Sequence, residues 1–134
     1  LSPSGKKASS INVKNKISRS GYSYKVTAIS GSAFKNSAKL KKAALGTNMK
    51  SIPQNSFSGC KKLASLTALG VTKINQSAFK NCRALKKLTF KEKISVKKGA
   101  FRGCKKTIKV TGGSGKINKA NVKKLKKCGY RKFQ

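Results

Sequence analysis

Phenylalanine recurs at a nearly constant interval along this chain, and this recurrence constrains the fold more than any other feature. Phe34, Phe57, Phe79 and Phe101 are spaced 23, 22 and 22 residues apart. A small residue precedes each Phe, and Asn or Gly follows it two positions later, as in SAFKNC and GAFRGC. A fixed period of about 20–50 residues is the signature of a repeat architecture. The spacing therefore predicts a stack of short coils.

The residue two positions after each Phe is expected to form a turn. Asn and Gly tolerate a left-handed backbone better than other residues. The predicted turn residues are Asn36, Gly59, Asn81 and Gly103.

Other apolar residues keep the same phase in each repeat, although Lys93 interrupts one column. A short coil cannot bury its own apolar face, so like residues meet in ladders when coils stack. The predicted structural core consists of Ile29, Phe34, Leu40, Ile52, Phe57, Cys60, Leu63, Leu66, Ile74, Phe79, Cys82, Leu85, Leu88, Val96, Phe101, Cys104 and Val110.

These patterns predict a β-rich α/β solenoid of about four coils of 22–23 residues, with an N-terminal β cap and a C-terminal capping helix. The predicted boundaries are a flexible leader at 1–10, the β cap at 11–24, the repeats at 25–110, and a linker with the capping helix at 111–134. A strand is expected over TIKV at 107–110. Asn118 is predicted to cap the helix, whose apolar stripe is Val122, Leu125 and Cys128, and Gly129 to end it.

The inventory of ionisable residues argues against enzymatic chemistry. Among 134 residues, 34 are Lys or Arg, one is acidic (Glu92) and none is His, so the formal net charge is +33. Acid–base and nucleophilic catalysis usually require a carboxylate pair, a His, or a nucleophile beside a base. This inventory excludes paired-carboxylate and Ser-His-Asp sites. We expect no catalytic residue, metal site or cofactor. No run of about 18 apolar residues is present, which predicts no membrane span.

The four cysteines are expected to be structural. Cys60, Cys82 and Cys104 share one phase of the repeat, which places them in a ladder where free Cys acts as a small hydrophobe. Cys128 lies on the apolar side of the predicted helix. No CxxC spacing exists and no His could complete a zinc site.

Basic residues also keep a phase in the repeat, flanking the inward Leu of each coil, and are expected to project as ladders over one face or edge. Coils about 5 Å apart would place ammonium groups within a Debye length of about 8 Å. This arrangement indicates either a polyanion-binding face or a solvated surface that keeps the solenoid soluble and monomeric. The candidate polyanion-binding residues are Lys39, Lys41, Lys42, Lys61, Lys62, Arg83, Lys86, Lys87, Lys105, Lys106 and Lys109.

Sequence-specific recognition of nucleic acid is not indicated. Only four of the 34 basic residues are Arg, the residue suited to bidentate recognition of guanine. Four of six Phe belong to the repeat column, and Tyr22, Tyr24 and Tyr130 fall in the predicted caps, which leaves little aromatic surface for base stacking. Nonspecific attraction to nucleic acid stays open.

The segment VTKINQSAFKNCRALKKL at 71–88 resembles the BspA-like leucine-rich repeats of bacterial surface proteins, and the resemblance covers residues 24–110. It implies a small curved leucine-rich-repeat solenoid with two short strands per coil, on exported proteins that bind other molecules or cells and share no catalytic residues. Ser37, Lys93 and Thr107 depart from the family pattern.

The resemblance and the charge together favour a non-enzymatic recognition or adhesion module at the cell surface. Its partner would be an anionic surface polymer, a glycan or a host protein. A nonspecific nucleic-acid-binding protein and a passive spacer are the alternatives. The sequence leaves the ligand and the oligomeric state open.

Overall fold

The computed structural model describes residues 8–128 and 132–134, and it confirms the predicted solenoid with a C-terminal helix. Its strands are β1 (Ser10–Asn12), β2 (Lys16–Arg19), β3 (Tyr22–Lys25), β4 (Lys42–Leu45), β5 (Ser51–Ile52), β6 (Ser65–Ala68), β7 (Lys73–Ile74), β8 (Lys87–Thr89), β9 (Ser95–Val96) and β10 (Lys109–Thr111), and its helix is α1 (Gly115–Lys127).

Two parallel sheets form the walls of the solenoid. The larger has the order β1-β4-β6-β8-β10, and the smaller has the order β5-β7-β9. Leu66 pairs in register with Leu88, and Leu88 with Val110, so the inward apolar residues of successive coils lie side by side. This register buries the Leu columns that the sequence predicts.

The repeated phenylalanines form a continuous stack inside the coils. Ring centroids of Phe34 and Phe57 lie 5.1 Å apart, those of Phe57 and Phe79 5.5 Å, and those of Phe79 and Phe101 5.0 Å, with interplanar angles of 14° or less. Phe133 closes the stack, because its ring meets Phe101 edge-on at 83° with centroids 5.1 Å apart. The repeat pattern does not predict this contact, since Phe133 lies outside the repeat.

The predicted turn residues have positive φ: 58° at Asn36, 76° at Gly59, 60° at Asn81 and 78° at Gly103. A second left-handed position, which the sequence pattern does not predict, precedes each Phe by two residues; it is occupied by Ser32, Asn55, Ser77 and Gly99. Each Phe is thus flanked by two left-handed residues, which turns the chain tightly around the buried ring.

The core is buried as the repeat pattern predicts, except that Ile29 and Val96 are only partly buried. Both lie in the column five residues before Phe, in the first and last coils. At two positions that depart from the repeat pattern, the buried residue is the next one along the chain. Lys93 and Thr107 are exposed, and the next residues, Ile94 and Ile108, are buried in their place.

The N-terminal segment differs from the prediction. The predicted flexible leader extends through residue 10, yet Ser10 belongs to β1 and the Ser9 carbonyl accepts a hydrogen bond from Lys41 N at 2.7 Å. Residues 1–7 of that leader lie outside the described residues. Ile11 is half-buried against the core, so β1 joins the main sheet instead of a separate cap. The β cap is reduced to the antiparallel hairpin β2–β3.

The C-terminal helix begins earlier than predicted. Ser114 is the N-cap and its Oγ accepts a hydrogen bond from Ile117 N, whereas Asn118 lies within the helix and its Nδ2 donates to the Gly113 carbonyl. Leu125 and Cys128 are buried as expected, and Val122 is partly buried. The predicted stop at Gly129 falls outside the described residues.

Asn121 attaches the helix to the last coil. This buried side chain accepts a hydrogen bond from Ile94 N at 3.0 Å and donates one to the Glu92 carbonyl at 2.9 Å. It satisfies two backbone groups that the irregular turn after β8 would otherwise leave unpaired.

Candidate functional site

Lysines from three successive coils line a groove of about 470 Å³ on the surface of the solenoid. Lys41 and Lys42 come from the first coil, which contains Phe34. Ala64 and Ser65 form part of the floor and come from the second coil, which contains Phe57. The Lys41 carbonyl accepts hydrogen bonds from Ala64 N at 2.8 Å and Ser65 N at 3.3 Å, which fixes one coil against the next. The groove lysines are Lys41, Lys42, Lys61, Lys62, Lys86 and Lys87, and all six are exposed.

The depth of the groove comes from a local irregularity in the repeat. The first and third coils carry Lys pairs, Lys41–Lys42 and Lys86–Lys87, at the positions where the second coil carries Ala64–Ser65. Neighbouring strands lie about 4.8 Å apart, so the two pairs are roughly 10 Å apart across a floor of small side chains. An extended anion could lie on this floor with cationic groups on both sides.

The structure brings six of the eleven predicted polyanion-binding residues into this groove. The other five are exposed but lie outside its lining: Lys39, Arg83, Lys105, Lys106 and Lys109. Lys109 is the register partner of Lys87 on the adjacent strand, so the lysine row of the main sheet continues from the groove to β10.

A row of threonines runs beside the lysines and is absent from the residues that the sequence pattern singles out. Thr67, Thr89 and Thr111 are register partners on β6, β8 and β10, and all are partly exposed. The hydroxyl oxygens of Thr89 and Thr111 lie 3.1 Å apart. The strand register identifies this row, because each Thr directly follows an inward residue of the predicted Leu column. The row gives the outer surface of the sheet hydroxyl groups next to its cations.

The charge of this surface has almost no internal compensation. Glu92 is the only acidic residue of the chain and is exposed on the turn after β8. With one carboxylate for 34 basic side chains, most ammonium groups have only solvent ions as counter-charges. Release of such ions is the physical basis on which basic proteins bind polyanions.

The cysteines occupy the interior of the solenoid. Cys60, Cys82 and Cys104 are buried thiols outside any disulfide, Cys128 is also buried, and the described part of the chain contains no group of side chains able to hold a metal ion. Each repeat thiol donates a hydrogen bond to the carbonyl of the Phe one coil before: Cys60 to Phe34 at 2.9 Å, Cys82 to Phe57 at 3.0 Å, and Cys104 to Phe79 at 3.3 Å.

Burial raises the pKa of the Cys60 thiol to about 11 and that of Cys104 to about 12. The pKa of Cys82 is also raised, first by burial and further by the neighbouring thiols. The thiolate is the reactive form of Cys, so these three side chains are unreactive at neutral pH.

Two aromatic side chains contradict the sequence prediction. The sequence predicts that Tyr22 and Tyr24 lie in the N-terminal cap and that little aromatic surface is exposed there. The exposed fractions of the two side chains are 70% and 51%. Every residue of β2 and β3 is exposed, so this hairpin does not cover the first coil.

Comparison with known proteins identifies the repeat. Residues 7–132 match the model of the BspA type leucine-rich repeat region, in six copies. The chain belongs to the BspA type leucine-rich repeat family. Among curated protein sequences, none matches the chain.

Two solved structures resemble this BspA type chain. A leucine-rich repeat protein from Bacteroides ovatus ATCC 8483 is 23% identical, with a TM-score of 0.63 over 77% of this chain. The leucine-rich repeat protein of T. pallidum is 18% identical, with a TM-score of 0.59 over 97% of this chain and 86% of its own length. The chain spans only 29% of the length of the B. ovatus protein. At these identities the likeness establishes the fold alone.

Membership of the BspA type family assigns the chain to repeat-based interaction proteins, which are typically non-catalytic and found on bacterial surfaces. Within the described residues, no helix has both the length and the apolar character needed to cross a lipid bilayer.

Proposed function

We propose that this solenoid is a non-enzymatic recognition and adhesion module displayed at a cell surface, and that its lysine groove binds anionic polymers. The partner would be a wall polymer, an acidic glycan or an acidic host protein. The observation that carries the proposal is the convergence of six lysines from three coils on one groove with a floor of small residues.

Three features support binding of an extended anion across the coils. The groove spans three stacked coils, and each coil contributes a pair of lysines to its lining, so a polymer lying across the coils would meet several cations in succession. The adjacent Thr row offers hydroxyl groups that can donate to sulfate, phosphate or carboxylate oxygens. Lysine is a mobile point charge on a flexible stem, which suits polymers of irregular charge spacing better than one fixed ligand.

The test compares two variants of equal net charge. In the groove variant, all six groove lysines are changed to Gln. In the helix variant, the six exposed lysines of α1 are changed to Gln: Lys116, Lys119, Lys123, Lys124, Lys126 and Lys127. Affinity of the full chain for heparin, purified wall teichoic acid and duplex DNA is measured over a series of salt concentrations.

We expect the groove variant to bind heparin or teichoic acid roughly tenfold or more weakly than the helix variant. Its plot of log affinity against log salt should also become shallower, by about 0.7–0.9 for each lysine that no longer neutralises a polymer charge. Equal losses in both variants would mean that only total charge matters and would overturn the proposal. Equal affinity and equal salt slopes for DNA and heparin of matched charge density would mean that the attraction is common to all polyanions and would count against the nucleic-acid alternative. No binding at low salt would favour the passive spacer.

A further inference from the structure

The two ends of the solenoid are finished differently. At the C-terminal end, residues 132–134 cover the edge of β10: Ile108 N donates to the Lys132 carbonyl at 2.7 Å, and Val110 N donates to the Gln134 carbonyl at 2.6 Å. Helix α1 packs beside them, and Phe133 closes the aromatic stack. The backbone edge of β10 is covered at this end, and a groove of about 430 Å³ remains between β10, α1 and Gln134.

Strand β1, at the other side of the main sheet, has one edge without a strand partner among the described residues. Within the described residues, β1 pairs with β4 alone, so its other edge presents unpaired backbone donors and acceptors. Free edges of this kind readily accept another extended strand. Next to this edge lies a largely apolar groove of about 500 Å³, lined by Ile11, Asn12, Val13, Lys14, Ile17, Val26 and Phe34.

The exposed hairpin extends this groove. Ile17 is paired with Tyr24, and Arg19 with Tyr22, across β2 and β3. Alternate residues of a strand point to the same side, so these four side chains share one face of the hairpin. Ile17 also lines the groove, which makes the apolar surface continuous from Phe34 to the tyrosines. Exposed apolar patches that adjoin polar residues mark interaction sites, and Tyr and Arg are enriched where binding energy concentrates.

We infer that this N-terminal face binds an extended polypeptide segment in which acidic and apolar side chains alternate, paired with the free edge of β1. The apolar side chains would enter the groove, and the acidic ones would meet two exposed cations: Lys14, which lines the groove, and Arg19, which shares the hairpin face with Ile17 and the tyrosines. The site is separate from the lysine groove, which lies on later coils.

Charge and shape favour an acidic peptide over two other ligands of this face, a second copy of the chain and single-stranded nucleic acid. A second copy of the chain would bring Lys14 and Arg19 against the same cations of its own, on molecules that each carry +33. Single-stranded nucleic acid would stack on the tyrosines but would bring no aliphatic groups to pack against Ile11, Val13 and Val26. An acidic segment with alternating apolar residues complements both the charge and the groove.

The test uses the full chain and fluorescein-labelled peptides of about eight residues. One peptide alternates Glu and Val; the control alternates Glu and Ser, with the same charge. Anisotropy titrations are run at about 0.15 M and about 1 M salt, because high salt suppresses general attraction to the lysines. We expect the Glu/Val peptide to bind roughly tenfold or more tightly than the control, and to keep this preference at high salt. Methylation of alternate peptide nitrogens should abolish the preference, since it removes the strand-pairing donors.

Variants locate the binding site. The combined change Ile17→Ser, Tyr22→Ser and Tyr24→Ser should remove the preference for the Glu/Val peptide. The groove variant, in which the six lysines of the lysine groove are changed to Gln, should retain this preference. If the combined variant melts at a lower temperature, Tyr22→Ser alone, at the most exposed position, should reduce the preference. Equal binding of the two peptides, or a preference unchanged in the hairpin variants, would overturn the inference. So would a wild-type dimer in sedimentation that the hairpin variant abolishes, or oligothymidylate binding that depends on the tyrosines.

Discussion

The carbonyl oxygen of Thr47 occupies the space that a Cβ atom on Gly70 would need. Thr47 is held in place in turn, because its N–H donates to Asn15 Oδ1 at 2.6 Å and its hydroxyl donates to the same atom at 3.2 Å. The close approach of two coils at this corner therefore requires Gly at position 70.

Gly70→Ala should destabilise the solenoid by about 1–3 kcal/mol or more, because a backbone carbonyl has to move. Gly115→Ala is the matched control. Gly115 is the first residue of α1, and a Cβ atom added there would meet nothing within 4 Å, so this change should be neutral or stabilise by up to about 1 kcal/mol. Urea denaturation monitored by circular dichroism gives the free energy of unfolding of both variants. A similar change in this free energy for Gly70→Ala and Gly115→Ala would contradict the close approach of the coils.

Ser37 should be a source of instability in the first coil. It occupies the column of the repeat cysteines and is fully buried, yet its Oγ has no hydrogen-bond partner. A buried, unsatisfied hydroxyl costs about 1–3 kcal/mol. We expect Ser37→Ala to leave stability unchanged or to raise it by about 1 kcal/mol.

The control for this prediction is another buried serine. Ser56 Oγ donates to the Pro53 carbonyl at 2.8 Å, so Ser56→Ala should lose about 0.5–1.5 kcal/mol. Thermal melts should therefore show a lower midpoint for Ser56→Ala and an unchanged or higher midpoint for Ser37→Ala. A loss as large for Ser37→Ala as for Ser56→Ala would show that the Ser37 hydroxyl has a partner.

Phe79→Ala should cost about 3–5 kcal/mol, because it opens a cavity between two stacked rings in the centre of the solenoid. Tyr22→Ala removes an aromatic ring that is 70% exposed and should change the free energy of unfolding by less than about 0.5 kcal/mol. Chemical denaturation of both variants tests the stacked-ring core; a small effect at Phe79 would be incompatible with it.

These cases also explain what the sequence could predict. The Phe column and its left-handed Asn and Gly residues are predictable because one environment recurs in every coil, so each position is indicated several times. The Phe101–Phe133 contact and the Asn121 hydrogen bonds each occur once, between segments distant in sequence, and no periodicity signals them. The predicted boundary between leader and β cap is wrong for a related reason: no repeat column extends into residues 1–24, so no periodicity indicates that Ile11 pairs with Ala43 across the main sheet.

The candidate site is predictable in the same partial sense. The phase of the lysines relative to the inward Leu predicts that they are exposed. The groove itself depends on Ala64 and Ser65 lying between two Lys pairs, and this arrangement is visible only when the strands are placed in register.

Alkaline pH should destabilise the fold through the cysteine ladder. An unfolded Cys has a pKa of about 8.5, whereas burial raises the pKa of Cys60 to about 11. The folded state therefore keeps a proton that the unfolded state loses between these values, and stability falls as pH rises. The contribution is complete below about pH 8.5 and is lost towards pH 11, at up to about 1.4 kcal/mol per pH unit for this thiol.

The measurement compares the wild type with Cys60→Ala, because the two proteins share every other ionisable group. At neutral pH the wild type should be the more stable, since the Ala variant leaves a void and removes the hydrogen bond to the Phe34 carbonyl. From about pH 8.5 to 11 the difference in free energy of unfolding should narrow, as only the wild type has to keep this thiol protonated in order to fold. Urea denaturation across this range gives the difference directly. A difference that stays constant from about pH 8 to 11 would mean that the Cys60 thiol titrates normally and is not sealed inside the stack.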